Sequence, residues 1–127
     1  MRSDHKLRGW SRIWPAFKNT LAGIQAGWAE PAFHMEAQLA AFMCPFAFVL
    51  GKTWLETGFL LATLVLVLIV ELLNTGIESA IDRVGYEWNT LSKRAKDLGS
   101  AAVFMSLLLC GGVWLSAAIA YWQAWPG

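Results

Sequence analysis

The sequence is poor in charged residues and in cysteine. Charged side chains make up 15% of the 127 residues and hydrophobic ones 57%, a far more apolar balance than that of an average soluble domain. The two cysteines, Cys44 and Cys110, lie in apolar runs and match neither a disulfide framework nor a zinc site. We therefore expect one membrane-embedded domain without a separate soluble domain, and we interpret both cysteines as small buried hydrophobic residues.

The sequence also lacks the short motifs that many nucleotide-binding and hydrolytic enzymes use. No G-x-x-x-x-G-K-[ST] loop, no G-x-G-x-x-G loop, no nucleophile elbow and no zinc-ligand spacing occurs. A phosphoryl transfer in this protein would consequently not use a P-loop. The first thirty residues lack the continuous apolar core of a cleavable signal peptide, so we expect none. Nucleic-acid binding is disfavoured because no exposed basic stripe remains once the membrane topology is assigned.

Apolar segments long enough to cross a bilayer occur three times. A spanning helix needs about 20 mostly apolar residues, and residues 31–50, 58–81 and 97–121 meet this requirement. Residues 7–28 place apolar side chains at helical spacing, the pattern of an amphipathic helix on a membrane surface. Within them, Pro15 indicates either a kink or the first turn of a new helix. The predicted fold is an all-α membrane protein with an N-terminal surface helix and three transmembrane helices.

The distribution of basic residues predicts the orientation in the membrane. Five of the ten basic residues precede the first span, four lie within residues 82–97, and only Lys52 lies elsewhere. Cytoplasmic segments carry an excess of Lys and Arg. The N terminus and a polar connection at residues 86–92, which follows a helix stop at Gly85, are therefore predicted on the cytoplasmic side. A short turn at residues 51–57 and the uncharged C terminus are predicted outside.

Four polar residues share one face of the second predicted span. They are Glu71, Asn74, Glu78 and Asp82. Their positions i, i+3, i+7 and i+11 align on a narrow face at about 100° per residue. Glu71 directly follows a twelve-residue apolar run, so it is predicted at the membrane boundary, where an ionisable group is costly and usually faces a protein interior or a cavity. A helix end emerging into water would explain Asp82 but explains Glu71 poorly, so a functional role is favoured.

Basic residues near the start of the third span can balance these acids. They are Lys93, Arg94 and Lys96. Lys96 shares a helix face with Ser100, and Asp97 is offset toward the neighbouring face. Carboxylates and lysines at a lipid–water boundary suit a magnesium-bound polyphosphate, whose metal takes oxygen ligands and whose phosphates take basic groups. Glu30, at the entrance to the first span, can supply another oxygen ligand, and Glu36 is the other acid inside a span.

Both polar segments belong to longer motifs. These are Glu71-Leu-Leu-Asn74-Thr-Gly-Ile-Glu78-Ser-Ala-Ile-Asp82-Arg-Val-Gly85 and Leu91-Ser-Lys-Arg94-Ala-Lys96-Asp97-Leu-Gly99-Ser100-Ala-Ala. The motifs resemble the prokaryotic integral-membrane diacylglycerol kinases, which share the layout of a surface helix and three spans. The resemblance implies a homotrimer in the bacterial inner membrane that transfers the γ-phosphate of ATP to diacylglycerol. The products would be phosphatidate and ADP, and the cofactor would be Mg²⁺.

The resemblance also implies roles for individual residues. Glu71 matches the catalytic base, and Glu30 and Glu78 match ligands of the magnesium ion that accompanies ATP. Asn74, Lys96 and Asp97 match groups that hold the nucleotide and its phosphates. Other matches near the reacting groups are Arg12, which corresponds to an arginine beside the reacting phosphate, and Glu36 and Ser100, which lie in the substrate neighbourhood.

Two other functions remain open from the sequence. A sister branch of the same family phosphorylates undecaprenol with the same catalytic motif, so the motif does not separate the two acceptors. A small transporter or channel subunit also carries acids within its spans. Such a protein would need those acids deep in the bilayer, whereas here they cluster at the cytoplasmic boundary beside lysines. We therefore expect a lipid kinase, with diacylglycerol as the favoured acceptor.

Overall fold

A computed structural model describes residues 9–126 of the chain. A short 3₁₀ turn at Gly9–Arg12 precedes four α-helices. These are α1 (Ile13–Trp28), α2 (Pro31–Leu50), α3 (Trp54–Val84) and α4 (Thr90–Ala124). The described residues contain no strand, so the all-α prediction is confirmed. Residues 7 and 8, the predicted start of the surface helix, lie outside the described part.

Three of the helices, α2, α3 and α4, are long and apolar enough to cross a membrane. The 31 residues of α3 extend about 46 Å at about 1.5 Å per residue, which exceeds the roughly 30 Å of a hydrocarbon core. The end of α3 beyond Glu71 therefore has the length to leave the lipid while the rest of the helix still crosses it. This protein is accordingly a membrane protein with three candidate spans.

The helix α3 begins earlier than the predicted span. It starts at Trp54 rather than at residue 58 because the Thr53 hydroxyl accepts a hydrogen bond from the Glu56 N–H (3.2 Å). The Glu56 carboxylate in turn accepts one from the Lys52 N–H (2.6 Å). Side chains that satisfy the free N–H groups of a first turn stabilise the helix start. The connection predicted at residues 51–57 is consequently only three residues long.

The helix α4 also begins earlier than its predicted span. The Asn89 side-chain oxygen accepts hydrogen bonds from the Leu91 N–H (2.9 Å) and the Ser92 N–H (3.1 Å), so the helix starts at Thr90 instead of residue 97. Because α3 ends at Val84, as the stop predicted at Gly85 requires, the connection comprises residues 85–89. The basic residues that precede the third span therefore lie on a helical extension of it.

The surface helix α1 ends against α3. Its start at Ile13 puts Pro15 in the first turn, where the missing N–H breaks no intrahelical hydrogen bond, so the second of the two alternatives for this proline is correct. Near the other end, Gly27 is buried, and a Cβ atom there would lie 2.5 Å from Leu72 Cδ2 and 3.4 Å from Phe33 Cδ1. Because Gly27 has no side chain, the end of α1 can pack closely against α3 at Leu72, the residue that follows Glu71.

The helix α3 is central to the fold, since it packs most extensively against α4 and next against α2. Within residues 9–126 the buried apolar residues are few: Phe33, Ala47, Leu60, Leu64, Val67 and Trp114. The Trp114 indole N–H donates to the Leu60 carbonyl and to the Thr63 hydroxyl, each over 3.2 Å, which fixes α4 on α3 far from the acidic end. Most large apolar side chains are exposed on the single chain, as expected where lipid or further copies cover them.

Candidate functional site

The acidic row of α3 runs from a buried to an exposed position. Glu71 and Asn74 expose only 7% and 9% of their surface, whereas Glu78 is exposed. The Asn74 side-chain N–H donates to Glu78 Oε1 in a long hydrogen bond of 3.5 Å. The three residues thus share one face of α3, as their spacing predicts, and join the apolar part of the helix to its polar end.

The inner end of the row meets a second acid. The carboxyl groups of Glu36 in α2 and Glu71 in α3 face each other, close enough to share a hydrogen bond. Glu36 Oε2 is buried and has no hydrogen-bond donor within residues 9–126. Glu36 as a whole is half-buried and Glu71 is buried, and two carboxyl groups side by side at such a position are costly unless a proton or a cation lies with them. The pair therefore indicates a functional site rather than a device for packing α2 on α3.

The outer end of the row meets the basic residues of α4. Lys96 Nζ donates to Asp82 Oδ1 over 2.9 Å and ties the polar ends of α3 and α4 together. Lys96 also interacts electrostatically with Glu78. Within α4, the Lys93 ammonium pairs with the Asp97 carboxylate one helical turn away. The acids predicted on α3 and the lysines predicted on α4 are therefore brought together at one end of the molecule.

A cleft of about 270 Å³ opens beside these ion pairs. One wall is the connection at residues 85–89, which contributes the aromatic side chains of Tyr86 and Trp88, and the other wall includes Lys96 and Asp97. Aromatic faces next to lysine and carboxylate groups suit a ligand with a flat ring and an anionic part. Sequence reasoning missed this cleft, because the connection was predicted only as a polar loop.

Three further predicted site residues are exposed. Glu30 is the residue that precedes α2, is exposed, and makes no side-chain capping bond to that helix. Arg12 ends the 3₁₀ turn before α1 and is also exposed. Ser100, four residues after Lys96, is exposed on α4. No hydrogen bond or ion pair that the structure describes joins Glu30 or Ser100 to the acidic row.

The donor set fits a metal ion that arrives with a nucleotide. Within residues 9–126 no group of three His, Cys, Asp or Glu side chains is arranged to hold a metal. Mg²⁺ in nucleotide sites is held through one or two carboxylates together with phosphate oxygens and water, rather than by an all-protein cage. The exposed carboxylate of Glu78, next to the Asp82–Lys96 pair, is the kind of ligand that such an ion takes.

Fold and site together define a class: an α-helical membrane protein whose central helix carries a buried acid near its apolar part and an exposed acid toward its polar end. The family model described as prokaryotic diacylglycerol kinase matches residues 18–118 of this chain. The chain belongs to this family, which is a family of lipid kinases.

Individual relatives agree with the family match. A diacylglycerol kinase of Haemophilus influenzae is 39% identical over 111 residues, which cover 87% of this chain and 94% of the relative. The diacylglycerol kinase of Pseudomonas aeruginosa is 42% identical over 107 residues, covering 84% of this chain and 87% of the relative. That of Escherichia coli is 36% identical over 107 residues, covering 84% and 88%. The resemblance found in the motifs is thereby confirmed.

Proposed function

We propose that this protein is a membrane-bound kinase that transfers the γ-phosphate of ATP to diacylglycerol, giving phosphatidate and ADP. The observation that carries the proposal is the row in which buried Glu71 is followed by Asn74 and exposed Glu78. A lipid that stays in the bilayer and a nucleotide that stays in water can meet at such a row. Relatives named diacylglycerol kinase over most of their length support the acceptor.

Glu71 acts as the general base in this proposal. The hydroxyl oxygen of the lipid attacks the γ-phosphorus of ATP and forms a new P–O bond. The bond between the γ-phosphorus and the β–γ bridging oxygen breaks, and ADP leaves with the electron pair. The hydroxyl proton passes to the Glu71 carboxylate, because a neutral alcohol is a poor nucleophile. Glu36, which faces Glu71, keeps the carboxyl group of the base in place.

Glu78 and Glu30 would hold the magnesium ion that accompanies ATP. When bound, such an ion neutralises charge that develops on the phosphate oxygens during transfer. Glu78 is exposed and interacts electrostatically with Lys96, which is one of the residues assigned to the nucleotide. Glu30 offers a carboxylate that is not used to cap α2.

Asn74, Lys96 and Asp97 hold the nucleotide. An ammonium group has three N–H donors, and Asp82 takes one of those of Lys96, so the others remain for phosphate oxygens. The cleft between the 85–89 connection and α4 accommodates the flat base of the nucleotide. Arg12, in the turn before α1, is assigned to the reacting phosphate, and Ser100 to the substrate neighbourhood. Positioning and charge neutralisation are the main contributions a protein makes to phosphoryl transfer.

The acceptor is tested with two lipids in parallel. Purified protein in mixed micelles should transfer label from γ-labelled ATP to diacylglycerol at a rate well above that to undecaprenol at the same mole fraction. The Glu71→Gln variant serves as the blank, because its micelles contain the same lipids and protein mass. Faster labelling of undecaprenol would move the chain to the polyprenol branch. Labelling of neither lipid would contradict the proposed function.

We also propose a homotrimer in the bacterial inner membrane. The described part of one chain buries only a few apolar side chains and leaves large ones exposed along all three candidate spans. Lipid covers part of such a surface, and contacts between copies through closely packed helices cover the rest.

In the orientation that we propose, the acidic row and the 85–89 connection lie on the cytoplasmic side of the membrane, where ATP is available. The test is a pair of single-cysteine variants, Glu87→Cys and Lys52→Cys, in a chain whose Cys44 and Cys110 are replaced by alanine. An impermeant thiol reagent added to intact spheroplasts should label the variant at residue 52 and spare the one at residue 87 until the membrane is permeabilised. The reverse pattern would put the nucleotide site on the wrong side of the membrane.

A further inference from the structure

Gly99 of α4 lies directly against Asn74 of α3. Gly99 is buried, and a Cβ atom added to it would overlap Asn74 Oδ1 and come within 3.3 Å of Asn74 Cγ. The next nearest atom is Ile77 Cδ1, at 3.8 Å, which is an ordinary contact distance. The close approach is therefore specific to the Asn74 amide, and only a residue without a side chain fits beside it.

The amide of Asn74 is held in one orientation at this contact. Its Oδ1 atom is buried against α4 without a hydrogen-bond donor within the described residues, while its Nδ2 group donates to Glu78 Oε1. In the flipped orientation the amide oxygen would face the Glu78 carboxylate, and two acceptors would repel each other. The Nδ2 donors would then face the Gly99 Cα, which offers no acceptor. The N–H donors of Asn74 accordingly point along the acidic face toward Glu78.

We propose that Gly99 is a positioning residue for the kinase reaction. Its missing side chain seats the Asn74 amide so that the N–H donors of that amide face the phosphate-bearing side of the row. The inference rests on the proposed function, in which Asn74 holds the nucleotide. An alanine at this position would displace the Asn74 amide, or separate α3 from α4, by about 1 Å before an ordinary van der Waals distance is restored.

The test compares two alanine substitutions in the same helix. Gly99→Ala should lower kcat/KM for ATP by about 10–100-fold, because a shift of about 1 Å in a positioning group has effects of this size. The rise in KM for ATP should account for most of the loss, and KM for diacylglycerol should stay near the wild-type value. Gly111→Ala is the matched control, because a Cβ there meets nothing within 4 Å, and it should retain wild-type kinetics.

A double variant separates positioning from general packing. If Gly99 acts through the Asn74 amide, then adding Gly99→Ala to Asn74→Ala should reduce kcat/KM for ATP by no more than about 2–3-fold further, since the two changes share one target. A full additional loss in the double variant would overturn the inference, as would wild-type kinetics in Gly99→Ala. Should Gly99→Ala fail to assemble, a folded double variant would support the clash with Asn74, and an unfolded one would overturn it. A wild-type protein that phosphorylates no lipid would instead refute the proposed function itself.

Discussion

Replacement of Glu71 by glutamine should slow phosphate transfer to diacylglycerol by about 10²–10⁴-fold, the range expected for loss of a general base. Glutamine keeps the shape of the side chain and can still bond to Glu36, but it cannot accept the hydroxyl proton. Glu71 is buried, and among the described residues of the row it lies nearest to the apolar part of α3. The rate at saturating ATP and lipid measures the effect.

The matched control for this change is Glu56→Gln. Glu56 lies in the first turn of the same helix, far from the row, and a glutamine oxygen can still accept the Lys52 N–H that the carboxylate accepts now. This variant should keep the wild-type rate. Glu71→Gln should assemble normally and bind ATP. If it also retained most of its turnover, Glu71 would not be the base, and its place beside Glu36 would need a structural explanation.

Replacement of Glu78 should disrupt the use of magnesium. A bound cation contributes several kcal/mol to stabilisation of the transferring phosphoryl group, so loss of one of its ligands should lower kcat/KM for ATP by at least about 10²-fold. Glu78→Ala also removes the acceptor of the Asn74 N–H. Glu78→Gln keeps an oxygen there and removes only the charge, so it isolates the effect on the metal.

The measurement is the initial rate as a function of free Mg²⁺ at fixed ATP. Both Glu78 variants should require more Mg²⁺ than the wild type and reach a lower maximum. Asp82 lies further along the same helix and outside the proposed metal ligands, so Asp82→Asn should leave the Mg²⁺ requirement near that of the wild type. An unchanged Mg²⁺ dependence in Glu78→Gln would remove Glu78 from the metal site.

The geometry of α3 is consistent with the different roles that we propose for these two acids. Seven residues of helix separate Glu71 from Glu78, which is about 10 Å along the axis. The first side chain is buried and the second is exposed. A lipid hydroxyl at the membrane boundary can reach the first, while a phosphate chain in water can reach the second. Two turns of one helix thus set the distance between the proposed base and the proposed metal ligand.

The sequence predicts the helices and the acidic row because both depend on local periodicity. Glu71, Asn74 and Glu78 align through the helical repeat alone, and the three spans follow from their length and apolar composition. The helix ends are predicted less well. Thr53 and Asn89 both cap helices, but a polar residue before a helix looks the same in sequence as one in a loop. Both helices therefore begin before the spans predicted from apolar composition.

The contacts between helices could not be predicted from the sequence. Glu36 and Glu71 are 35 positions apart and meet only because α2 packs on α3. Likewise, the approach of Gly99 to Asn74 depends on the relative rotation of α3 and α4. The periodicity of residues within one helix does not predict this rotation, because the rotation results from how the side chains of two helices interdigitate.

We propose that this protein couples ATP cleavage to phosphorylation of a membrane lipid at the Glu71–Asn74–Glu78 row. The most direct measurement is the ratio of labelled phosphatidate to ADP formed by purified wild-type protein from γ-labelled ATP and diacylglycerol. We predict one labelled phosphatidate for each ADP. Formation of ADP together with free labelled phosphate, without labelled lipid, would show that ATP cleavage is not coupled to lipid phosphorylation.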